Sequence, residues 1–392
     1  MIYIGVFFLV LIFAYLFDFK NYGKNEDFWY KFLLIILIAV SGLRYKVGGD
    51  TLAYFDFFED YPFVSELRNY DFIYSKWDPF WVILSSVSKS IVNDFAFFQI
   101  IHAIFINSVI FSFFKKHTQY RFTAVLVYYL FFYIYFNTEV MRESLAVCVF
   151  LLAYPYFKDR IWIKYYVLAV LAFLFHSSAI ITFIFPLFRN IKLNLKGIIF
   201  LCFGFLILIS TIFYFPSIIH MILFSERLFN RFEIYSQFQP SLRGMLNIFF
   251  YYALVPYLIL RFYNKINKGK RLFGELHMLY FALVMVTISI SGFARMLNYL
   301  TPFMIVFFAD FLATIYRKKI FYNLSGQMVF LILIMSTIPK IRYYTADTSR
   351  FVSGTHKYNL YHPYSSIFSK EEFPTREIIF RETQQESISR EE

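Results

Sequence analysis

The chain has 392 residues, of which 59% are hydrophobic and only 16% are charged. Soluble globular domains carry about 25% charged residues, so the composition excludes a water-soluble protein and favours one membrane domain. The net charge of +12 lies in short Lys and Arg clusters between apolar runs. That distribution argues against nucleic acid as a partner and is typical of membrane-protein loops. Cys148 and Cys202 lie inside apolar runs, which indicates neither a disulfide nor a metal site.

Twelve apolar runs predict membrane-spanning helices, because backbone groups in lipid must pair internally and no alternating barrel pattern is present. The runs are residues 2–17, 29–43, 95–114, 121–136, 141–157, 161–175, 176–188, 197–216, 245–262, 273–291, 295–316 and 320–339. A short serine-rich run at 81–92 predicts a re-entrant or interfacial helix. The predicted fold is therefore an all-α polytopic membrane bundle over residues 1–339. A tail follows at 340–392, and its last residues are expected to be disordered.

Basic residues in the short loops predict the orientation of these helices. The clusters lie at 20–31, 115–121, 158–164, 189–196, 261–271 and 317–319. They share one side, the cytoplasm, if the spans alternate, and this alternation requires residues 161–188 to form two short helices broken near His176. The loops 44–78 and 217–244 and the tail then face the exterior.

The first exterior loop carries the most distinctive stretch, GLRYKVGGDTLAYFDFF at residues 42–58. Its paired glycines, Gly48 and Gly49, permit a tight bend that would bring Arg44 and Asp50 into one small volume. Asp50 could alternatively serve only as the cap of a helix over 51–58. Capping is compatible with a functional role.

Charged residues also stand near the ends of later helices. Glu139, Arg142 and Glu143 share one helical face through their i, i+3 and i+4 spacing, as a site or as an ion pair that anchors two helices. His176 stands where an apolar run must break, and a lone buried histidine is more often structural than catalytic. Arg295 shares a face with Tyr299 after a Ser–Gly break, where a guanidinium either reaches lipid headgroups or binds an anion.

A second group of arginines follows residue 216. Arg227 and Arg231 lie four apart on a predicted amphipathic helix, with Arg243 nearby. Lipid headgroups and a pyrophosphate substrate are both compatible with this pattern. Arginine suits phosphate because its planar fork donates two hydrogen bonds at once.

Several stretches of the sequence resemble a known family. Residues 44–54, with Arg44, Val47, Gly48, Asp50 and Tyr54, resemble the opening signature of the EpsG family of Wzy-like polysaccharide polymerases. Five later stretches agree in the family's order: DPFWVIL, EVMRESLAVCVFLLA, FLFHSSA, SGFARMLNY and YNLYHPYSSIF. The sequence departs from the pattern at Gly49, where Thr or another residue is common, and at Glu143, where Gln is frequent.

The resemblance implies a membrane glycosyltransferase, similar in fold to GT-C-like enzymes, in the bacterial cytoplasmic membrane with its site facing the exterior. It implies a polyprenyl (undecaprenyl) pyrophosphate-linked oligosaccharide as substrate, for capsule, exopolysaccharide or O-antigen synthesis. The other expected partners are membrane lipid and a chain-length regulator. No cofactor or metal is expected. An O-antigen ligase is an alternative. A flippase is a weaker one, since no inverted repeat is visible.

The expected reaction has two chemical requirements, and each gives a role to some of the candidate residues. The acceptor hydroxyl needs a base, and the candidates in order are Asp50, His176 and Glu143. The departing pyrophosphate needs positive charge. The candidate pyrophosphate or substrate ligands are Arg44, Arg142, Arg295, Arg227, Arg231, Arg243, Tyr54 and Tyr299.

Overall fold

A computed structural model describes residues 2–72, 75–189, 200, 203–204, 207, 241–267, 273–289 and 291–389. Its secondary structure over those ranges is helical, apart from two isolated antiparallel bridges, Arg44 with Ser366 and Asp347 with His356. The all-α prediction is confirmed. Most of the predicted span 197–216, together with Arg227 and Arg231, lies outside the described residues.

The described helices follow one another along the chain. They are α1 (Ile2–Phe13), α2 (Glu26–Gly42), α3 (Thr51–Phe58), α4 (Pro79–Ile91), α5 (Phe95–His117), α6 (Arg121–Tyr128), α7 (Met141–Lys158), α8 (Trp162–Phe175), α9 (Ile181–Phe188), α10 (Leu242–Ile248), α11 (Val255–Ile266), α12 (Gly274–Ser289), α13 (Thr301–Arg317), α14 (Ser325–Tyr344) and α15 (Pro374–Ser389). Wider π-helical turns extend α1 over Ala14–Phe19, extend α6 over Tyr129–Tyr133 and Tyr135–Glu139, and join α10 to α11 over Phe249–Leu254. The helix α15 includes residues 384–389, for which the sequence predicted disorder.

Several of these helices are long and apolar enough to cross a membrane. Within the described ranges four qualify: Ile2–Phe19, Phe95–His117, Leu242–Ile266 and Tyr322–Tyr344. A fifth qualifies if the bent pair Phe293–Tyr299 and Thr301–Arg317 is counted as one span. Shorter apolar helices occupy other predicted positions. The helices indicate an integral membrane protein, and the number of twelve spans stays a prediction.

Two of the predicted helix breaks are present. The helix α8 ends at Phe175, and a 3₁₀-helix over Ser177–Ile180 precedes α9, so the break near His176 that the predicted orientation requires is found. The second break follows α12, where Ser291–Tyr299 forms a 3₁₀-helix bent by 59° against α13. The predicted run 295–316 corresponds to two helical segments separated by this bend. The α-helix begins at Thr301, after the 3₁₀ segment that contains Arg295.

The described chain divides into two compact units, of which the first comprises residues 1–159, 163–176 and 308–392. Its interior holds hydrogen bonds between helices. Asn107 on α5 donates to the Asn137 side chain at 2.9 Å, and the Tyr133 hydroxyl donates to the Leu37 carbonyl of α2 at 2.6 Å. Polar contacts of this kind hold helices together where the surroundings are apolar. They fix α2, α5 and the end of α6 relative to one another, immediately before Glu139.

One end of the first unit gathers ion pairs whose carboxylates are partly or largely exposed. Arg121 at the start of α6 bonds Glu26 at 3.0 Å and Asp27 at 2.6 Å, both in the first turn of α2. Lys115 near the end of α5 also pairs with Asp27, at 3.1 Å. Arg317 at the end of α13 donates to the Asp18 carbonyl at 2.9 Å. This end, named here the Arg121 end, carries basic clusters that the sequence predicts to be cytoplasmic.

At the opposite end the C-terminal tail folds back onto the loop after α2. The Tyr45 amide donates to the Ser365 carbonyl at 2.9 Å, and the Gly48 amide donates to the Leu360 carbonyl at 2.9 Å. Arg376 is buried and donates to the carbonyls of Lys46 at 2.8 Å and Asn359 at 3.3 Å. The tail and the first long loop therefore lie on the same side of the unit.

Candidate active site

The loop after α2 is built around a buried guanidinium. Arg44 donates to the Val47 carbonyl at 3.2 Å, to the Ser41 carbonyl and to the Thr51 hydroxyl at 3.3 Å. Burial lowers the pKa of Arg44 to about 10, so the group stays charged at neutral pH. Because its donors are directed at the loop itself, Arg44 holds the bend that precedes α3.

Gly48 allows this loop to approach α6 closely. Its φ is +118°, and a Cβ there would lie 2.7 Å from the Thr138 Cβ. Only glycine adopts such a conformation without strain. Thr51 donates to the Thr138 carbonyl at 3.0 Å and closes the same contact. The loop therefore brings Asp50, at the start of α3, towards Glu139.

Asp50 occupies the N-cap position of α3, but its side chain makes no capping hydrogen bond. The carboxylate instead interacts electrostatically with Lys357 and Tyr343. The alternative in which Asp50 serves as a side-chain cap is therefore not the arrangement found. Asp50 belongs to a group of charged and phenolic side chains drawn from four parts of the chain.

We name this group the Glu139 cluster. Its members are Asp50, Glu139, Lys340, Tyr343, Lys357 and Tyr361. The Tyr361 hydroxyl donates to Glu139 Oε1, and the Tyr343 hydroxyl donates to Glu139 Oε2 at 3.4 Å. Two tyrosines from the C-terminal part of the chain thus bind the carboxylate at the end of α6.

Two lysines complete the Glu139 cluster. The Lys357 ammonium lies 3.8 Å from the centre of the Tyr343 ring, and Lys340 lies 5.3 Å from the centre of the Tyr135 ring. Burial lowers the pKa of Lys357, and the negative charges of Glu139 and Asp50 oppose this shift. Two ammonium groups therefore stand beside two carboxylates, largely enclosed by aromatic rings.

A second group surrounds Arg142, in the first turn of α7. Arg142 Nη1 donates to Asp78 Oδ2 at 3.1 Å, and the guanidinium lies 4.8 Å from the centre of the Trp77 ring. Tyr54 also interacts with the guanidinium. The Arg142 Nε–H is buried and has no hydrogen-bond partner among the residues that the structure describes. A buried donor without a partner is costly, so it is a natural place for a further acceptor. We name Arg142, Asp78, Trp77 and Tyr54 the Arg142 cluster.

The two clusters are carried by the same short stretches of chain. Glu139 ends the extension of α6, and Arg142 follows after a break at Val140. Asp50 precedes α3, and Tyr54 lies one helical turn further along it. The predicted residues Asp50, Tyr54 and Arg142 are therefore brought to one end of the first unit.

A model of the EpsG family matches residues 27–366. The chain belongs to the EpsG family. The matched range contains every member of both clusters. No curated protein and no solved structure matches the chain. Membership of this family supports a role of the polysaccharide-polymerase type at the level of the family.

Sequence reasoning missed much of the Glu139 cluster of this EpsG-family chain. Lys340, Lys357 and Tyr361 were not predicted as site residues, and Glu139 was considered only as a neighbour of Arg142. A signal was present for Tyr361, which lies inside the YNLYHPYSSIF stretch that resembles the family. Lys340 directly follows the last predicted span, where a charge adjoins the membrane.

The other two predicted bases of the EpsG-family chain are enclosed. Glu143 is 1% exposed within α7, and His176 is 5% exposed directly after α8. The His176 amide donates to the Ala172 carbonyl at 3.1 Å, which closes the last turn of that helix. Roles for Glu143 and His176 as bases stay predictions.

Three predicted ligands lie in the second unit of the EpsG-family chain, which comprises residues 160–162 and 177–307. Tyr299 is buried, and its hydroxyl lies 3.0 Å from the Ser178 hydroxyl. Arg295 is partly buried four positions earlier, in the 3₁₀ segment. Arg243 is exposed in the first turn of α10, which Ser241 caps. Their roles as pyrophosphate or substrate ligands stay predictions.

Proposed function

We propose that this EpsG-family protein is a polysaccharide polymerase. It transfers a growing glycan from polyprenyl pyrophosphate to a sugar hydroxyl of an incoming lipid-linked repeat unit. The observation that carries the proposal is that the Glu139 cluster and the Arg142 cluster lie at the same end of the first unit. The first cluster combines carboxylates with ammonium groups, and the second pairs a guanidinium with the Asp78 carboxylate.

The reaction breaks the bond between the donor anomeric carbon and the pyrophosphate oxygen. It forms a bond from that carbon to the acceptor hydroxyl oxygen, whose proton must be accepted by a base. We assign this role to Asp50, because its carboxylate faces the cluster and is not used as a helix cap. General base catalysis contributes about 10²- to 10⁴-fold to such a step.

The departing pyrophosphate is a weak base and requires charge stabilisation more than a proton. Arg142 supplies a guanidinium with one donor still without a partner among the described residues, and Lys340 and Lys357 supply two ammonium groups. Groups of this kind, already in place before the reaction, stabilise developing negative charge most effectively. Glu139, bound by two tyrosines, interacts electrostatically with both lysines.

The site is proposed to face the exterior of the bacterial cytoplasmic membrane. The Arg121 end carries basic clusters that favour the cytoplasm, and the two clusters of the site lie at the other end of the same helices. An undecaprenyl carrier in the outer leaflet would then reach the site from the lipid.

Purified protein reconstituted with the lipid-linked repeat of its host tests the proposal. Wild-type protein is expected to produce a ladder of lengthened chains, and Asp50→Asn is expected to slow elongation by about 10²- to 10⁴-fold. Asp27→Asn, at the Arg121 end, is the matched control and should elongate normally. No ladder from the wild-type protein would exclude the polymerase. Normal elongation by a folded Asp50→Asn protein would remove Asp50 as the base.

The same product gives the stereochemistry. A single in-line displacement inverts the anomeric carbon, so the new linkage should have the configuration opposite to that of the lipid-linked donor. NMR of donor and polymer compares the two. Retention of configuration would rule out this scheme, and transfer only to an acceptor other than the repeat unit would indicate a ligase.

A further inference from the structure

The first unit contains an open cleft of about 460 Å³ that the proposed reaction does not use. It lies between the C-terminal half of α3, the segment that follows α3, the start of α5 and the tail near residue 370. Five aromatic side chains line it: Tyr45, Phe55, Phe58, Phe63 and Phe95. Its volume falls within the range typical of small-ligand sites.

Polar side chains also line this cleft. Glu59, Asp94 and Lys370 are exposed at its wall. The Asp94 carboxylate is oriented because it accepts a hydrogen bond from the Ala96 amide at 2.8 Å. The cleft therefore combines aromatic side chains with an oriented carboxylate and two further exposed side chains, one acidic and one basic.

One wall of the cleft is rigidly held. The Lys89 ammonium is buried and donates to the carbonyls of Glu59 at 2.7 Å and Tyr61 at 2.8 Å. The same ammonium lies 5.0 Å from the centre of the Phe63 ring. These contacts fix the segment that carries Glu59 and Phe63. Because this wall is already ordered, less conformational entropy is lost when a ligand binds.

The cleft and the proposed base are joined by one short helix. Asp50 precedes α3, and Phe58 ends it, so the two positions are about 12 Å apart along a helix of this length. Ile367 and Lys370 complete the cleft, and they belong to the same tail that carries Lys357 and Tyr361. A ligand that fills the cleft could therefore extend towards the Glu139 cluster.

We infer that the cleft binds the oligosaccharide part of the substrate, an inference that rests on the proposed function. Sugar rings present apolar C–H faces that stack on aromatic side chains and a rim of hydroxyls that bond carboxylates, amides and ammonium groups. A polyprenyl or acyl chain fits less well, because it would cover Glu59, Asp94 and Lys370 without offering them a hydrogen bond. The cleft thus holds sugars at a distance from the reacting bond.

The test uses the repeat-unit oligosaccharide released by mild acid from the lipid-linked precursor of the host. Its binding to full-length protein in nanodiscs is measured by saturation-transfer difference NMR. The double substitution Phe55→Leu with Phe63→Leu keeps apolar bulk and removes two flat rings. It is expected to weaken binding about tenfold and to raise KM for the lipid-linked repeat by a similar factor, with kcat nearly unchanged.

Phe368→Leu is the matched control, because Phe368 is 81% exposed beside Ile367 and does not line the cleft. It should bind the oligosaccharide like the wild type. Equal binding by the double variant would overturn the inference, and so would displacement of the oligosaccharide by polyprenyl phosphate that carries no sugar. Binding that depends on Phe55 and Phe63 in a protein that makes no polymer would support the cleft and refute the polymerase.

Discussion

The two ends of the first unit both carry charges, but they hold them differently. At the Arg121 end, the carboxylates that pair with Arg121 lie near the surface, and the Asp27 side chain is 63% exposed, whereas Asp78, which pairs with Arg142, is 5% exposed. At the other end, the Glu139 and Arg142 clusters collect charges from distant parts of the chain beneath tyrosines and a tryptophan. Exposed pairs contribute little to stability, whereas enclosed charges are costly. Enclosed charges are therefore expected where chemistry uses them.

The largest expected difference between the ends concerns their arginines. Arg142→Lys should lower the elongation rate by about 10²- to 10³-fold, because a lysine cannot replace the planar fork of donors. Arg121→Lys replaces an arginine whose carboxylate partners, Glu26 and Asp27, are 35% and 63% exposed, and it should leave elongation nearly unchanged. The ladder assay on folded protein measures both. Equal rates for the two variants would remove the distinction between the ends.

Gly48 tests whether the close approach of the loop to α6 is required. Gly48→Ala should destabilise the protein by about 1–3 kcal/mol through its positive φ, with added strain from the contact with Thr138. Gly49→Ala is the control, since its nearest neighbour would be the Tyr361 hydroxyl at 3.6 Å. Thermal unfolding in detergent compares them. A Gly48→Ala protein as stable as Gly49→Ala would show that the loop adapts.

Arg376 tests the docking of the tail. Arg376→Gln should cost about 1–3 kcal/mol locally, because buried carbonyls lose a charged donor. The tail should then exchange its amide hydrogens faster and be cleaved sooner by protease, and elongation should fall with it. Arg381→Gln, on the exposed side of α15, is the control. Unchanged amide exchange over residues 357–370 would contradict this role.

The smallest effect is expected from Lys357→Arg. Burial lowers the pKa of Lys357, so its ammonium loses a proton at a lower pH than an exposed lysine, whose pKa is about 10.4. Elongation that needs this charge should therefore decline as pH rises towards that value. An arginine stays charged there, so Lys357→Arg should move the decline to higher pH, and Lys46→Arg should not. Identical profiles would exclude Lys357 as a required cation.

Local sequence pattern was enough to predict most of the helices. The predicted runs 29–43 and 95–114 correspond to α2 and α5 within a few residues, because apolar composition and flanking charges mark helix ends directly. The break near His176 was likewise predicted from a polar interruption of an apolar run. The start of α13 was missed, since a 3₁₀-helix has nearly the same local composition as an α-helix.

The composition of the site was less predictable. Asp50 and Arg142 were identified because charge in an apolar sequence is rare. Lys357 and Tyr361, which interact with Asp50 and Glu139, lie about two to three hundred residues further along the chain, and nothing local to either stretch specifies that pairing. The sequence also could not show that Arg44 donates to its own loop, because the burial of Arg44 depends on the C-terminal tail that packs against this loop.

The return of the tail has a consequence for biogenesis. Asp50 and Glu139 are made early, but Lys357 and Tyr361 join them only after every intervening helix has been synthesised and inserted. A nascent chain halted before residue 357 would contain Asp50 and Glu139 but lack Lys357 and Tyr361 of the Glu139 cluster. Under the proposed function, activity is therefore expected only late in synthesis, when the tail reaches the loop after α2.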